Sequence, residues 1–415
     1  MNRLKDFARA GHWPTLLSSF LYFDVSFMIW VLLGALGNYV ASDFGLSPTQ
    51  KGLMTAIPLL GGSILRLVFG QLTDTLGPRK TGCLGLALTL VPLLGGWLWA
   101  DSIGQIYAVG LMLGVAGASF AVALPMASAW YPAQYQGLAM GIAGAGNSGT
   151  LIATLFAPRL AEAIGWRSVF GLAIIPLLLV GTIFVLFAKE APATQRAAKS
   201  SEFFKVLRER DTWLFCLFYA VTFGGFVGLA SFLSIFLRDQ YGVSKVAAGD
   251  LTSLCVLAGS FLRPVGGMLS DKFGGVRMLT LLYGAVAVLA LGVAQLPGMA
   301  VTVALFVILM ACLGLGNGSV FQLVPQRFAS RVGVATGILG AAGGVGGFFL
   351  PTMLGSLKQS TSTYSSGLLV MAVFALTALV ILAVAQRGWV GRWIARHGRV
   401  LAPERLPVRS PETAS

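Results

Sequence analysis

The sequence predicts an all-α membrane protein whose twelve transmembrane helices form two related halves of six. Three observations predict this fold class. Hydrophobic residues make up 56% of the 415-residue chain and charged residues only 11%, against about 25% charged residues in soluble domains. Apolar stretches long enough to cross a bilayer recur along the whole chain. Residues 61–74 and 258–271 are similar to each other at a spacing of 197 residues, so the second half repeats the first.

Each predicted helix is justified by its length, because about 20 apolar residues in a helix cross the roughly 30 Å of hydrocarbon. In chain order, the spans cover residues 15–40, 49–70, 81–99, 104–129, 138–160, 168–188, 212–237, 247–269, 278–296, 300–323, 333–354 and 366–386. The first span contains Asp24 and lacks the short apolar core and small-residue cleavage site of a signal peptide. We therefore expect it to be retained as a helix.

The basic residues behind the net charge of +14 gather on one side of the predicted membrane. They lie before the first span, after the second, between the sixth and seventh, and after the twelfth: Arg3, Lys5, Arg9, Arg79, Lys80, Lys189, Arg196, Lys199, Lys205, Arg208, Arg210, Arg387, Arg392, Arg396, Arg399, Arg405 and Arg409. By the positive-inside rule, both termini and the central loop are cytoplasmic. The charge thus indicates topology in the cell membrane, and no nucleic-acid partner is predicted.

The same pattern predicts the domain organisation. An amino-terminal six-helix bundle covers residues 1–188, and a carboxy-terminal bundle covers 212–386. A polar cytoplasmic linker, 189–211, joins them, and from Ser201 it could form an amphipathic helix. A basic cytoplasmic tail covers 387–415. Repeats of this kind are typical of transporters that bind their substrate between the halves, near the membrane midplane.

Two arginines, Arg66 and Arg263, occupy the same place in the two repeats, each eight residues before an aspartate. Eight helical residues span about 12 Å, which brings each guanidinium close to the centre of the bilayer. An arginine there costs roughly 2.5–3.5 kcal/mol on insertion scales and usually marks a substrate or ion path. No acid lies near either arginine in sequence, so we expect the counter-ion to be the substrate. A planar guanidinium suits a small planar oxyanion; the alternative is a structural arginine paired with an acid elsewhere in the fold.

The segments GQLTDTLGPRK and GMLSDKFGGVR resemble the signature loop of the major facilitator superfamily, Gly-x-x-x-Asp-x-x-Gly-x-Arg. We expect Asp74 and Asp271 to accept hydrogen bonds from helix N-termini. We expect Arg79 and Arg277 to reach helix C-terminal carbonyls. These gating loops would clasp the cytoplasmic ends and release them on opening. The alternative is that they are only charged turns.

A second duplicated feature is a pair of glycine-rich helices, the fifth and the eleventh. Their glycines are Gly141, Gly144, Gly146 and Gly149 in the fifth, and Gly343, Gly344, Gly346 and Gly347 in the eleventh. Small residues at such spacing let helices pack closely. Close packing does not explain Asn147, a polar amide in the middle of this face.

Together, the arginine pair, the runs Gly144–Gly149 and Gly343–Gly347, and the segment GLGNGSVFQLVP resemble the nitrate/nitrite porter family of the major facilitator superfamily. The resemblance covers essentially all twelve spans and implies the major facilitator fold. It implies that Arg66, Arg263 and Asn147 bind the anion. It also implies that aromatic rings enclose the anion, and these are Phe27, Phe120, Tyr219 and Phe223. Phe27 is the weaker match and could equally face lipid or core, whereas Tyr219 and Phe223 share one helical face.

The function implied is secondary transport of nitrate, nitrite or both. Two coupling modes stay open: proton symport, with Asp24 as the acid inside the amino half, and nitrate/nitrite exchange. Asp24 could also be a polar residue at the entrance without a coupling role. Another small anion, a carboxylate or a phosphate, is the alternative substrate. No enzyme, cofactor or metal site is predicted, because the four cysteines are dispersed in the spans and the two histidines lie outside them. Nitrate, nitrite, protons and membrane lipid are the expected partners of a monomer.

Overall fold

The computed structural model describes residues 6–7, 9–191, 200–328 and 331–394. The predicted basic residues Arg3 and Lys5, residues 192–199 of the linker and residues 395–415 of the tail lie outside the described residues. In chain order the long helices are α1 (Trp13–Trp30, Leu32–Ala35 and Gly37–Phe44), α2 (Pro48–Leu76), α3 (Pro78–Leu98), α4 (Ile103–Gly117 and Phe120–Ala129), α5 (Ala133–Gly144, Ala145–Ser148 and Gly149–Ile164), α6 (Trp166–Phe187), α7 (Arg210–Tyr219, Ala220–Gly224 and Gly225–Tyr241), α8 (Lys245–Phe273), α9 (Gly275–Ala294), α10 (Met299–Arg327), α11 (Val332–Thr361) and α12 (Ser365–Trp389).

The predicted all-α membrane class is confirmed. Eleven helices in the described part of the chain, α2 to α12, are long and apolar enough to cross a membrane. The remaining one, α1, is interrupted at Val31 and Leu36. A short helix, Ser200–Arg208, covers the second part of the linker and exposes Phe204. Many large apolar side chains on the outer helices are likewise exposed, as lipid-facing surfaces require.

The internal repeat is visible in the helix bounds. Helices α2 and α8 are both 29 residues long, and their ends are related by the same 197-residue spacing as the two arginines. Each ends at a glycine in the left-handed region, Gly77 with φ +88° and Gly274 with φ +96°. A residue with a Cβ would be strained there. The two helices are therefore stopped at equivalent places, about three turns beyond their arginines.

Helix packing follows the same repeat. In the amino half α2 packs on α4 and α3 on α6, and in the carboxy half α8 packs on α10 and α9 on α12. The halves meet most extensively where α2 packs on α11 and α5 packs on α8, and α7 also packs on α1 and α2. Both arginine helices thus belong to the interface between the halves.

Three helices change geometry near their middle, at the level of the arginines. Helix α5 contains a 3₁₀ turn, Ala145–Ser148, and α7 contains a π-helical turn, Ala220–Gly224. Helix α4 is interrupted between Gly117 and Phe120. Interruptions of this kind often mark functional sites, because they redirect side chains and free backbone groups.

The interface between the halves is tight at one end and loose at the other. At the end where α1 stops and α2 begins, called the closed end here, Gly52 packs against Pro351 and Gly355. Toward the other end, the last hydrogen bond of the α2–α11 crossing joins the Arg66 side chain to the Gly340 carbonyl. One turn further, Gly70 and Gly337 have no atom of the described chain within 4 Å of where a Cβ would be. The halves therefore separate beyond Arg66, at what we call the open end.

Candidate functional site

Arg66 lies at the centre of the molecule and is 1% exposed. Its Nε donates a hydrogen bond to the carbonyl of Gly117 at 2.9 Å, where α4 is interrupted, and its Nη1 donates to the carbonyl of Gly340 at 2.6 Å. Its Nη2 is buried and has no hydrogen-bond partner among the described residues. The guanidinium is thus held by backbone oxygens of both halves and keeps one donor free for a ligand.

Arg263, its repeat partner, is 8% exposed and less constrained. Its guanidinium lies 5.4 Å from the ring centre of Phe321, and its buried Nη1 has no partner in the described chain. No described carboxylate is within ion-pair distance of either arginine. The two guanidinium groups are near enough to repel each other. Two unneutralised cations with free donors therefore face each other across the halves, an arrangement suited to an anion.

Six aromatic rings form a closed circuit around the arginines. Ring centres of successive members are 4.5–6.3 Å apart, and the order is Phe27, Phe223, Tyr219, Phe321, Phe120 and Phe23, which returns to Phe27. The Arg66 guanidinium lies 5.2 Å from the ring centres of both Phe120 and Phe223. Aromatic faces stabilise a cation in a dry site. The rings thus lower the cost of burying Arg66 without adding a negative charge that would compete with an anion.

Tyr219 adds a polar group to this circuit. Its hydroxyl is buried, and it approaches Arg263 without the geometry of a full hydrogen bond. It also interacts electrostatically with Arg66. A hydroxyl between two guanidinium groups can donate its proton to an oxyanion that both arginines bind.

Asn147 is presented by the 3₁₀ turn of α5. Its side chain is 1% exposed, and its Oδ1 has no partner among the described residues. The turn packs on both α1 and α8, and the preceding residue, Gly146, lies against the Phe23 ring. A buried amide oxygen is an acceptor, so it does not itself bind an anion. The donor that Asn147 offers to a ligand entering between α5 and α8 is its Nδ2 amino group.

Asp24 lies on α1 beside this turn. Its Oδ1 accepts a hydrogen bond of 2.6 Å from the Ser148 hydroxyl, and Gly149 packs directly on the Asp24 carbonyl. Asp24 is partly exposed, and it forms no ion pair with another described residue. The acid is therefore next to the aromatic circuit through Phe23 and next to Asn147 through Ser148.

The predicted gating loops make contacts within their own halves. The Arg79 guanidinium donates to the carbonyl of Val185 near the end of α6, at 2.8 Å, and the Arg79 backbone N–H donates to Glu190. Asp271 accepts a hydrogen bond from Gln322 of α10 and not from a helix N-terminus. Asp74 and Arg277 are exposed. The expected contact of Arg79 with a helix C-terminal carbonyl is thus present, whereas the described residues show no hydrogen bond from a helix N-terminus to Asp74 or Asp271.

The glycines of α5 and α11 divide between two surroundings. Gly146 and Gly149 lie against the α1 backbone, and Gly343 lies against the rings of Tyr219 and Phe223. The other three glycines of the run Gly343–Gly347 also pack closely: Gly344 on Ser63, Gly346 on Ala220 and Gly347 on Val227. Gly141 and Gly144 have no described atom within 4 Å of a built Cβ. Close packing is thus absent at these two positions in this conformation, since they lie toward the open end.

Sequence reasoning missed Trp30, Phe23 and Phe321. The Trp30 ring centre lies 4.9 Å from the Arg66 guanidinium, and its Nε1 donates to the Pro58 carbonyl. Trp30 is one turn beyond Phe27, and Phe321 is four residues after Asn317 in the segment GLGNGSVFQLVP. Helical spacing from Phe27 and Asn317 could have found both. Asn317 itself is buried, and its Oδ1 has no partner among the described residues.

Two related six-helix halves around a buried cationic site define a multi-pass membrane transporter of the two-bundle class. The profile of the Major Facilitator Superfamily matches residues 18–351, and the chain belongs to this superfamily. A bacterial homologue of the human lysosomal transporter Spinster has a similar fold in two inward-facing crystal structures, one occupied and one unoccupied. The TM-scores are 0.66 and 0.69, at 20% identity over 90% of this chain and 96% of that chain.

Relatives with more similar sequences have names that specify the transported anion. The chain is 34% identical over 356 residues to the nitrite extrusion protein of Bacillus subtilis (strain 168), which covers 86% of this chain and 90% of that protein. It is 34% identical over 370 residues to the "Probable nitrate/nitrite transporter NarK2" of Mycobacterium tuberculosis (strain H37Rv), covering 88% and 94%. It is 33% identical over 372 residues to the "Probable nitrate/nitrite antiporter NarK1" of Thermus thermophilus, covering 81% and 83%. These relatives confirm the resemblance to nitrate/nitrite porters. They also confirm the prediction that the protein is a transporter and not an enzyme.

Proposed function

We propose that this protein carries nitrate and nitrite across the cytoplasmic membrane by alternating access. The observation that carries the proposal is the pair of buried arginines without a carboxylate partner, each with a free guanidinium nitrogen, inside one circuit of aromatic rings. A small planar oxyanion can accept hydrogen bonds from both planar guanidinium groups at once. The names of the relatives support nitrate and nitrite over a carboxylate or a phosphate.

In this proposal, Arg66 and Arg263 bind the anion from opposite halves, and the Asn147 amide and Tyr219 hydroxyl add donors. Phe27, Phe120 and Phe223 enclose it. Binding neutralises the repulsion between the two arginines, which draws the halves together around the site. The bundles 1–188 and 212–386 then rotate against each other about the anion, while residues 189–211 join them.

The orientation of this cycle follows from charge. The open end carries the gating loops with Arg79, Lys80, Lys272 and Arg277, so the positive-inside rule makes it cytoplasmic. The described conformation would then be inward-open, with both termini in the cytoplasm. Asp74, Arg79, Asp271 and Arg277 would regain contacts across the halves when this end closes.

For the coupling we propose proton symport, with Asp24 as the proton-binding group. An anion entering a negative interior requires about 2.3 kcal/mol per charge per 100 mV, so net uptake needs an accompanying cation or an exchanged anion. Asp24 is supported by its contact with the turn that carries Asn147. Nitrate/nitrite exchange is the second candidate, and the missing counter-ion of the arginines favours it, because an empty carrier would have to reorient two unpaired charges.

Uptake of labelled nitrate into proteoliposomes distinguishes proton symport from nitrate/nitrite exchange. External acid that drives uptake into nitrite-free vesicles establishes symport, whereas strict dependence on internal nitrite establishes exchange. Uptake of labelled formate or phosphate, with no nitrate movement under any condition, would overturn the proposed substrate.

Lysine substitutions test the site itself. Arg66→Lys and Arg263→Lys keep the charge but lose the planar pair of donors. We expect each to reduce nitrate uptake at least about tenfold, the loss that corresponds to roughly 1.4 kcal/mol of binding to one charged hydrogen-bond donor. Arg167→Lys, at a partly exposed arginine of the closed end that donates to the Ala100 carbonyl, is the matched control. Undiminished uptake by both site variants would exclude the arginines as the anion site.

A further inference from the structure

The 3₁₀ turn Ala145–Ser148 is joined to α1 by one side-chain hydrogen bond, from the Ser148 hydroxyl to Oδ1 of Asp24. At 2.6 Å this distance is in the range of a charge-assisted bond between a hydroxyl and a carboxylate. The donor to Asp24 therefore belongs to the residue that follows Asn147 in the chain.

The rest of the turn is held by close backbone packing. Gly146 and Gly149 pack on the α1 backbone and the Phe23 ring, and they have no side chain of their own that could interlock with α1. The hydrogen bonds of a 3₁₀ turn have poorer geometry than those of an α-helix, so a turn inside a long helix can rearrange. Asn147, whose side chain is buried, has an Oδ1 without a partner in the described chain. The Ser148–Asp24 bond is thus the polar contact that sets where Asn147 stands.

No other ionisable group in the described chain controls Asp24. The helices packed on α1 carry the following ionisable groups: Lys51, Arg66 and Asp74 on α2, Tyr107 on α4, Tyr135, Arg159 and Glu162 on α5, Arg167 on α6, and Arg210, Asp211, Tyr219, Arg238, Asp239 and Tyr241 on α7. None of these side chains is hydrogen-bonded or paired to Asp24 in the described structure. A change in the protonation of Asp24 therefore acts first on Ser148.

We propose that Ser148 is a positioning residue that transmits the protonation state of Asp24 to the anion site through the 3₁₀ turn and Asn147. While Asp24 is ionised, it holds Ser148 and keeps the turn against α1. Protonation converts the acceptor into a neutral carboxyl, which binds the hydroxyl less strongly, and releases the turn so that Asn147 can reach the anion. Proton and anion then bind cooperatively, as symport requires. This inference rests on the proposed function and adds its coupling route.

The experiment measures sodium nitrate binding to the purified full-length protein by calorimetry between pH 5.5 and 8.5. Wild-type affinity should increase as the pH falls. Asp24→Asn, which is permanently neutral, should bind at the low-pH level with no pH dependence. Ser148→Ala should lose most of the pH dependence, by about fivefold to tenfold across the range, the effect of one hydrogen bond. Ser148→Thr keeps the hydroxyl and should restore it.

The matched control is Ser19→Ala, which removes a buried hydroxyl from α1 whose hydrogen bond to the Thr15 carbonyl stays within the helix. It should bind like the wild type at every pH. A full pH dependence in Ser148→Ala would overturn the inference, because Asp24 would then act on the anion through space. Wild-type binding that does not change with pH would also overturn it, while leaving anion carriage intact. No nitrate binding at any pH would refute the proposed function and this inference with it.

Discussion

The two ends of the interface between the halves differ in how they are held. At the closed end, Lys51 pairs with Asp239 at 2.8 Å, and Arg159 forms a two-bond pair with Asp250. Between that end and the middle, Asn38 donates to Ser234 and Ser253 donates to Thr154. At the open end, Gly70, Gly141 and Gly337 have no atom of the described chain within 4 Å of where a Cβ would be. Side-chain pairs thus hold the closed end together. At the open end, glycines leave room for the helix backbones to approach each other.

This difference shows which contacts determine the free energy of switching between the two conformations. Opening the closed end must break several polar contacts, each of which contributes modestly at a partly exposed site. Closing the open end requires only that helix backbones approach, which glycine permits. The arginines lie between the ends, so an anion bound to both can compensate for the hydrogen bonds and ion pairs that break at the closed end. A carrier needs such a balance, because neither conformation can be far more stable than the other.

The largest effect is expected from a side chain placed in the tightest crossing. A Cβ on Gly52 would overlap the Pro351 carbonyl and lie 3.2 Å from Gly355 Cα. Gly52→Leu should therefore prevent closure of this end and reduce transport about tenfold or more, since overpacking costs about 1–3 kcal/mol. Maleimide labelling of a Gly337→Cys reporter at the open end should slow. Gly104→Leu, with no neighbour within 4 Å, is the control. Unchanged labelling in Gly52→Leu would refute the assignment of this crossing as the closed gate.

A smaller effect is expected from Asp239, which accepts hydrogen bonds from Lys51 Nζ and from the Tyr364 hydroxyl at 3.0 Å. Its side chain is 20% exposed. Asp239→Asn leaves Lys51 unpaired and should favour opening of this end by about 1 kcal/mol, or about fivefold in population. The same reporter should label more slowly. In a double-mutant cycle with Lys51→Gln, additive effects would show that the pair does not hold the gate.

The Arg159–Asp250 pair is geometrically good but exposed, at 44% and 39%. Asp250→Asn should change the labelling rate by no more than about fivefold, because exposed pairs contribute roughly 0.2–1 kcal/mol. In 1 M salt, where the screening length is about 3 Å, the difference from wild type should vanish. A larger effect that persists in high salt would mean that this pair, and not Lys51 with Asp239, dominates the closed end.

Much of this arrangement could be predicted from the sequence. Composition and the 197-residue repeat indicated the class and the helices, and the equivalence of Arg66 and Arg263 appears again in the equal bounds of α2 and α8. Helix lengths were underestimated where polar residues follow an apolar run, as at α2, which continues to Leu76. Hydropathy measures the apolar part of a helix, and the polar turns beyond it are stabilised by hydrogen bonds and caps.

The rest could not be predicted, because it depends on contacts between distant segments. The Arg66 bonds to Gly117 and Gly340 use backbone oxygens that any residue could supply. The pairing of Asp24 with Ser148 joins positions 124 residues apart, and neither residue type indicates the other. The conformational state is also absent from the sequence, because one chain must encode both states.

Substitution of Gly141 tests whether the chain adopts a second conformation in which the open end is closed. Of the substitutions considered, it should change the stability of the described conformation least. Within a helix, alanine is more stable than glycine by roughly 0.5–1 kcal/mol, and a Cβ at this position meets no described atom within 4 Å. Gly141→Ala should therefore raise the melting temperature slightly, whereas Gly146→Ala, whose Cβ would lie 2.8 Å from the Phe23 ring, should lower it. If the open end closes during transport, Gly141→Ala should also slow turnover, because the added methyl group enters the approaching surface. A stabilised variant with wild-type turnover would show that Gly141 does not face the gap that closes.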